Sequence, residues 1–105
     1  MFARIVTMRL KPGSGTEFSQ TIEKRILPLL RKQKGFRDEI TFVTPSGDEA
    51  VGISLWDQRE HAEAYTTAVY PEVMRELAKV TDGTPRVQTY DVANSTVHNI
   101  AARAA

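Results

Sequence analysis

A chain of 105 residues is enough for one domain and no more. Its 14 basic and 13 acidic side chains leave a formal charge of +1, which argues against a nucleic-acid binder working through a basic stripe and leaves no polybasic block for an anionic membrane. Zero cysteines exclude a disulfide framework, a thiolate zinc site, an iron–sulfur cluster and a cysteine nucleophile, and with only His61 and His98 no all-protein metal site is expected.

The amino-terminal Met1-Phe2-Ala3-Arg4-Ile5-Val6 reads as the start of a strand rather than a signal peptide. No later segment is apolar enough to span a bilayer, so the expected setting is cytoplasmic. Strand one runs from about Phe2 to Leu10, with Val6, Met8 and Leu10 on one face and Ala3, Ile5 and Thr7 on the other. Lys11-Pro12-Gly13-Ser14-Gly15 breaks it, and Gly13-Ser14-Gly15 lacks the spacing of a phosphate-binding loop. Helix one follows to about Lys34, capped by Ser14 or Thr16. Phe18, Ile22, Ile26, Leu29 and Leu30 form its apolar stripe, Pro28 kinks it near Lys24 or Arg25, and Gly35 stops it.

Strand two spans roughly Phe36 to Thr44, with Ile40 and Phe42 alternating against Glu39 and Thr41. Pro45-Ser46-Gly47-Asp48 closes a hairpin into strand three, Glu49 to Trp56, which carries no charge from Ala50 onward. Asp57-Gln58-Arg59-Glu60 has the form of a capping box for helix two, which runs to about Val69 and turns Ala62, Tyr65 and Val69 inward. Helix three restarts at Tyr70-Pro71, buries Val73, Met74, Leu77 and Val80, and ends at Asp82-Gly83. Strand four spans about Pro85 to Asn94.

The order βαββααβ predicts an α+β, ferredoxin-like fold: a four-stranded antiparallel sheet with both helical units on one side. Residues 1–94 form this single domain. Residues 95–105 form an alanine-rich tail that frames a short helix, docks on a partner protomer or frays. The sheet face away from the helices is expected to be too apolar for water, because strand three lacks the polar alternation of a solvated face. A second copy covering it makes a homodimer.

Residues Phe2 to Val92 resemble the antibiotic biosynthesis monooxygenase family. Three features carry the resemblance: Ile26-Leu27-Pro28-Leu29-Leu30-Arg31 running into Gly35-Phe36, the strand ending Leu55-Trp56-Asp57, and Glu60-His61-Ala62-Glu63-Ala64-Tyr65 after it. The resemblance implies a dimeric α+β barrel with a small-molecule cavity between sheet and helices. It also implies, for some members, oxidation of aromatics to quinones by dioxygen with no cofactor. The sequence departs from two subgroups. Quinone-forming members place an asparagine near the tryptophan, whereas Asn94 and Asn99 lie at or beyond strand four. Heme-degrading members use an asparagine on strand one and a helical histidine, where this chain has no asparagine and Thr66.

Trp56 reads as a cavity wall whose indole N–H orients a substrate oxygen, or as a core aromatic. His61 and Tyr65, four apart, share a helix face. A histidine there accepts a substrate proton near neutral pH, or sits in the first turn as a surface group. Tyr65 is the second orienting donor or an amphipathic core residue, and Tyr70 lines a pocket or packs on Pro71. Ser54 and Gly52 leave room for a ligand or for close backbone approach. His98 is expected to be exposed. The expected function is a cofactor-independent monooxygenase with Trp56, His61 and Tyr65 in catalysis and Ser54 and Tyr70 binding a small phenol- or hydroquinone-like substrate. The alternative is a non-catalytic binding or assembly domain of the same fold, and heme degradation is disfavoured.

Overall fold

In the computed structural model, which describes residues 1–101, β1 (Phe2–Leu10) is central. It pairs antiparallel with β3 (Glu49–Trp56) on one side and β4 (Thr81–Asp91) on the other, and β2 (Phe36–Val43) completes the order β2-β3-β1-β4. The helices α1 (Gly15–Thr21), α2 (Leu27–Arg31), α3 (Arg59–Ala68) and α4 (Tyr70–Leu77) cover one face. This is the ferredoxin-like arrangement that the element order implies.

The side-chain alternation of β1 decides which face is the core. Phe2, Val6, Met8 and Leu10 are buried beneath the helices, with Arg4 among them, while Ile5 and Thr7 on the other face are half-buried. Ala50, Ser54 and Trp56 of β3 share the inner face, and Val51, Ile53 and Leu55 the outer one. The register continues that outer face into Ile40 and Phe42 of β2, which are 48% and 52% exposed. An antiparallel sheet with one solvated face ordinarily carries polar side chains there.

The helical arm after β1 is interrupted by one π-helical segment, Ile22–Ile26, in which Leu27 N–H bonds the Ile22 carbonyl. Two features of the sequence select it. Pro28 has no N–H to continue an α-helical ladder. The buried residues Phe18, Ile22, Ile26 and Leu30 also recur at a strict spacing of four. On an ideal α-helix each four-residue step drifts by about 40°. One widened turn winds that drift back and keeps all four side chains over the sheet.

Several local expectations are corrected. Helix one ends at Arg31 rather than near Lys34, and Ser14 occupies its N-cap position without a side-chain hydrogen bond. The capping box does not form: Gln58 is the N-cap of α3, and Asp57 instead pairs with Arg37. Its backbone N–H donates to the Gly35 carbonyl over 2.8 Å, so Asp57 belongs to the link between β2 and β3. The last helix stops at Leu77 and Val80 is buried beyond it. β4 begins at Thr81, with Asp82 and Gly83 inside the strand beside an irregularity opposite Thr7–Arg9.

The tail forms neither a helix nor a loose end over its described residues. Ser95 and Ile100 exchange backbone hydrogen bonds of 2.8 and 2.9 Å around Asn99 at φ 55°. His98 is half-buried rather than exposed, with Nε2 at 2.6 Å from Asp38 Oδ2. Because Asp38 lies on the opposite edge strand from β4, the tail crosses the sheet to reach it. Residues 102–105 of the expected tail lie outside the described residues.

Candidate functional site

Between the inner sheet face and the helices lies a cavity of about 50 Å³. Its roof is hydrocarbon from two sources: Ile22, Ile26 and Leu30 of the helical arm, and Val73, Met74 and Leu77 of α4. Its floor is polar in one row. Arg4 on β1 faces Ser54 on β3, and Ser54 faces Glu39 on β2, so three polar side chains stand side by side across three strands. Gly52, the next inward position of β3, leaves the space that a larger side chain would fill.

The row has uneven hydrogen bonding. Ser54 Oγ accepts the Trp56 indole N–H at 2.9 Å and donates weakly to the Arg4 carbonyl at 3.4 Å. Glu39 Oε2 accepts from Thr41 Oγ1 at 2.6 Å, and burial pushes its carboxyl pKa up despite that bond. Arg4 is 3% exposed, its guanidinium is 3.9 Å from the centroid of the Tyr70 ring and 5.5 Å from that of Tyr65, and its Nη2 has no hydrogen-bond partner.

Aromatic rings form the end wall. Trp56 is fully buried, edge-on to Phe36 at 5.6 Å and 5.1 Å from Tyr65, which in turn lies 6.2 Å from Tyr70. Burial pushes the Tyr65 phenol up to about 12, the Arg4 charge opposing that rise only in part.

Of the five residues singled out from sequence, Ser54, Tyr65 and Tyr70 line the cavity. Trp56 stands one layer behind them, touching it through its bond to Ser54 and its contact with Tyr65. His61 lies elsewhere: its ring packs on the backbone of Gly35, and its buried Nδ1 has no partner. The share of a helix face between His61 and Tyr65 does not carry to the cavity, because the broad aromatic faces inward and the histidine faces the β2 entry. Arg4 and Glu39 were not foreseen. A strand-one arginine between apolar neighbours reads as the solvent side of an alternation, and only the count of inward positions (Phe2, Arg4, Val6, Met8) signals otherwise.

A family model described as antibiotic biosynthesis monooxygenase matches residues 1–79. The chain belongs to the antibiotic biosynthesis monooxygenase family. Its fold is that of solved monooxygenases of similar size. One, encoded by ActVA-Orf6 of Streptomyces coelicolor and solved with nanaomycin D, aligns with a TM-score of 0.77 at 15% identity over 90% of this chain and 88% of that one. SnoaB, a cofactor-independent oxygenase from Streptomyces nogalater, aligns with a TM-score of 0.75 at 12% identity over 90% of this chain and 95% of that one. A protein of unknown function from Nitrosomonas europaea aligns with a TM-score of 0.74 at 14% identity, over 90% and 91% of the two chains. No curated protein matches the sequence. In this family member the described residues contain no helix long and apolar enough to cross a membrane and no cluster of three or more metal-ligating side chains.

Proposed function

We propose that this chain is a monooxygenase that works without a cofactor on a small phenolic or hydroquinone-like aromatic, and that it acts as a homodimer. The observation that carries the reading is the cavity: a hydrocarbon roof and aromatic wall over a polar floor, in a chain of a monooxygenase family. A flat, electron-rich ring with one or two oxygens is the complement of such a space.

In the proposed reaction a phenol and dioxygen become a para-quinone and water. The phenol O–H and ring C–H hydrogens leave in the water, one oxygen atom forms the new carbonyl, and dioxygen takes up the electrons the ring gives. Deprotonation comes first, because a phenolate gives an electron to dioxygen far more readily than a phenol does. Glu39 is the proposed proton acceptor, since it faces the cavity and its raised pKa makes it a stronger base than an ordinary carboxylate. His61 does not face that space and is not given the task. Ser54 and Tyr65 hold the substrate oxygen, Tyr70 supplies a ring face, and Trp56 positions Ser54 by donating to its oxygen.

The cavity is smaller than a dry protein void of roughly 150 Å³ that is known to admit benzene. Met8 and Met74 line it, and thioether side chains re-pack at low cost, so entry of a ring is proposed to displace them.

Oxygen uptake with a panel of phenols, naphthols and hydroquinones, with one atom of labelled dioxygen traced into the product, tests the reading. Turnover is expected in the wild type and should fall by about 10²-fold or more in Glu39→Gln, as for loss of a general base. The rate should rise with pH through the Glu39 pKa, because only the carboxylate accepts a proton. An undiminished Glu39→Gln rate would reject that residue's role, and no turnover across the panel would leave the second reading, a non-catalytic binding domain. That reading draws on the Trp56 N–H, which is already satisfied within the protein.

A further inference from the structure

We propose that Arg4 is an anion receptor and that the ligand of this cavity is a small aromatic carboxylic acid. The inference rests on the cavity being a substrate site, as proposed above, and adds the charge of what fills it.

Arginine keeps its charge at any pH a protein experiences, so burial cannot neutralise it. Buried charges are ordinarily paired, because removing an ion from water is costly. Arg4 departs from that rule. It is 3% exposed, its Nη2 is closed off from solvent with no acceptor, and it joins none of the ion pairs among the described residues. The cavity's single carboxylate, Glu39, stands beyond Ser54 in the same cross-strand row, at about two strand spacings, or roughly 10 Å. Thr41, two residues along the same strand, donates a hydrogen bond to it.

Tyr70 lies against the guanidinium at 3.9 Å and Tyr65 flanks it at 5.5 Å, and Arg4 is among the residues that line the cavity. Stacking fixes the plane of the fork without satisfying its donors. A carboxylate meets such a fork with two parallel hydrogen bonds. The rest of the cavity then sets the rest of the ligand: a ring beside Tyr65 and Tyr70, hydrocarbon above, and a hydroxyl pointing to Ser54 and Glu39 at the other end. A hydroxylated benzoate has its acid and its hydroxyl in that relation.

The test uses three probes of one ring size: 2,5-dihydroxybenzoate, its methyl ester, and hydroquinone. Binding is read from the fluorescence of Trp56, the protein's single tryptophan, and from the shift in melting temperature. The acid should bind wild-type protein about tenfold or more tightly than the ester, the difference expected of a charged, bidentate contact over a neutral one. Arg4→Lys should keep part of that preference and Arg4→Met should lose it. Arg4→Met without ligand should melt no lower than wild type, since an unpaired buried charge has been removed.

Equal binding of acid and ester by wild type, or no binding of the acid up to millimolar concentration, overturns the proposal even if the variants fail to fold. So does an Arg4→Met protein that still prefers the acid. The outcomes separate from those of the oxygenase reading. Acid binding through Arg4 with no oxygen uptake keeps the receptor and rejects the oxygenase. Equally fast oxidation of hydroquinone and the acid does the reverse.

Discussion

Gly35 holds φ at 78°, and a β-carbon built there would overlap the Cβ, Cγ and Nδ1 of His61. Only glycine suits both the left-handed backbone and the close approach. Gly35→Ala should therefore cost about 2 kcal/mol or more, lowering the melting temperature by roughly 10 °C. Adding His61→Ala should recover the part due to overlap with Cγ and Nδ1, though not with the Cβ that alanine keeps, a non-additivity that a double-mutant cycle measures. Trp56 combines full burial with a satisfied N–H, so Trp56→Ala should cost about 3–5 kcal/mol by denaturant titration. Tyr65 predicts the alkaline limit. Burial pushes its phenol up to about 12 in the folded protein, against 10.0 for an unperturbed tyrosine, so the folded state holds the proton longer. The stability this contributes is complete below pH 10 and is lost as pH rises toward 12, a total of about 3 kcal/mol. Tyr65→Phe should flatten that part of the stability–pH curve.

Elements depend on neighbours as much as on their own residues. Asp57-Gln58-Arg59-Glu60 has the composition of a capping box, yet Asp57 is drawn to Arg37 because β2 enters the sheet beside the end of β3. Both partners are substantially exposed, so the pair contributes little. Asp57→Asn should change unfolding free energy by less than about 1 kcal/mol, with that difference shrinking as salt is added. Loss of a true cap would cost up to about 2 kcal/mol and resist salt. On β2 the alternation of Ile40 and Phe42 with Glu39 and Thr41 is plain in the sequence, but alternation alone does not say which set faces the helices. Pairing with β3 decides it. Ile40 lies opposite Ile53 and turns outward, while Glu39 lies opposite Ser54 and turns to the cavity.

At the scale of the molecule, the outer sheet face is the largest unresolved demand. Ile40, Phe42 and Tyr90 are about half exposed, and Ile5, Val51, Ile53 and Leu55 lie between them in register. A contiguous apolar sheet face of this kind is the mark of an interface. In the proposed homodimer a second copy covers it. Wild-type protein should then scatter light as a dimer at micromolar concentration and Phe42→Asp as a monomer, with the helical content of both unchanged. A monomeric wild type would reject the dimer. The tail bears on the same face, since His98 reaches Asp38 from the β4 side and covers one end of it.

The order and type of the elements, the alternation along β1 and the interruption that Pro28 imposes on helix one were present in the sequence, and the structure meets that interruption with a π-helical segment where a kink was expected. Periodicity and proline chemistry are local properties, and they survive folding unchanged. Ser54, Tyr65 and Tyr70 were legible as inward-facing positions, and all three line the cavity. What the tertiary structure alone decided is the meeting of residues far apart in the chain. Arg4, Glu39 and Ser54 come together only when three strands pair in one register, and a one-residue slip would turn all of them to the other face. Whether His61 reaches the cavity depended likewise on the rotation of α3 against Gly35, which packing sets. Sequence determines what each segment prefers to be. Only the assembled sheet determines which charges are left without water, because that depends on which strands pair and in what register.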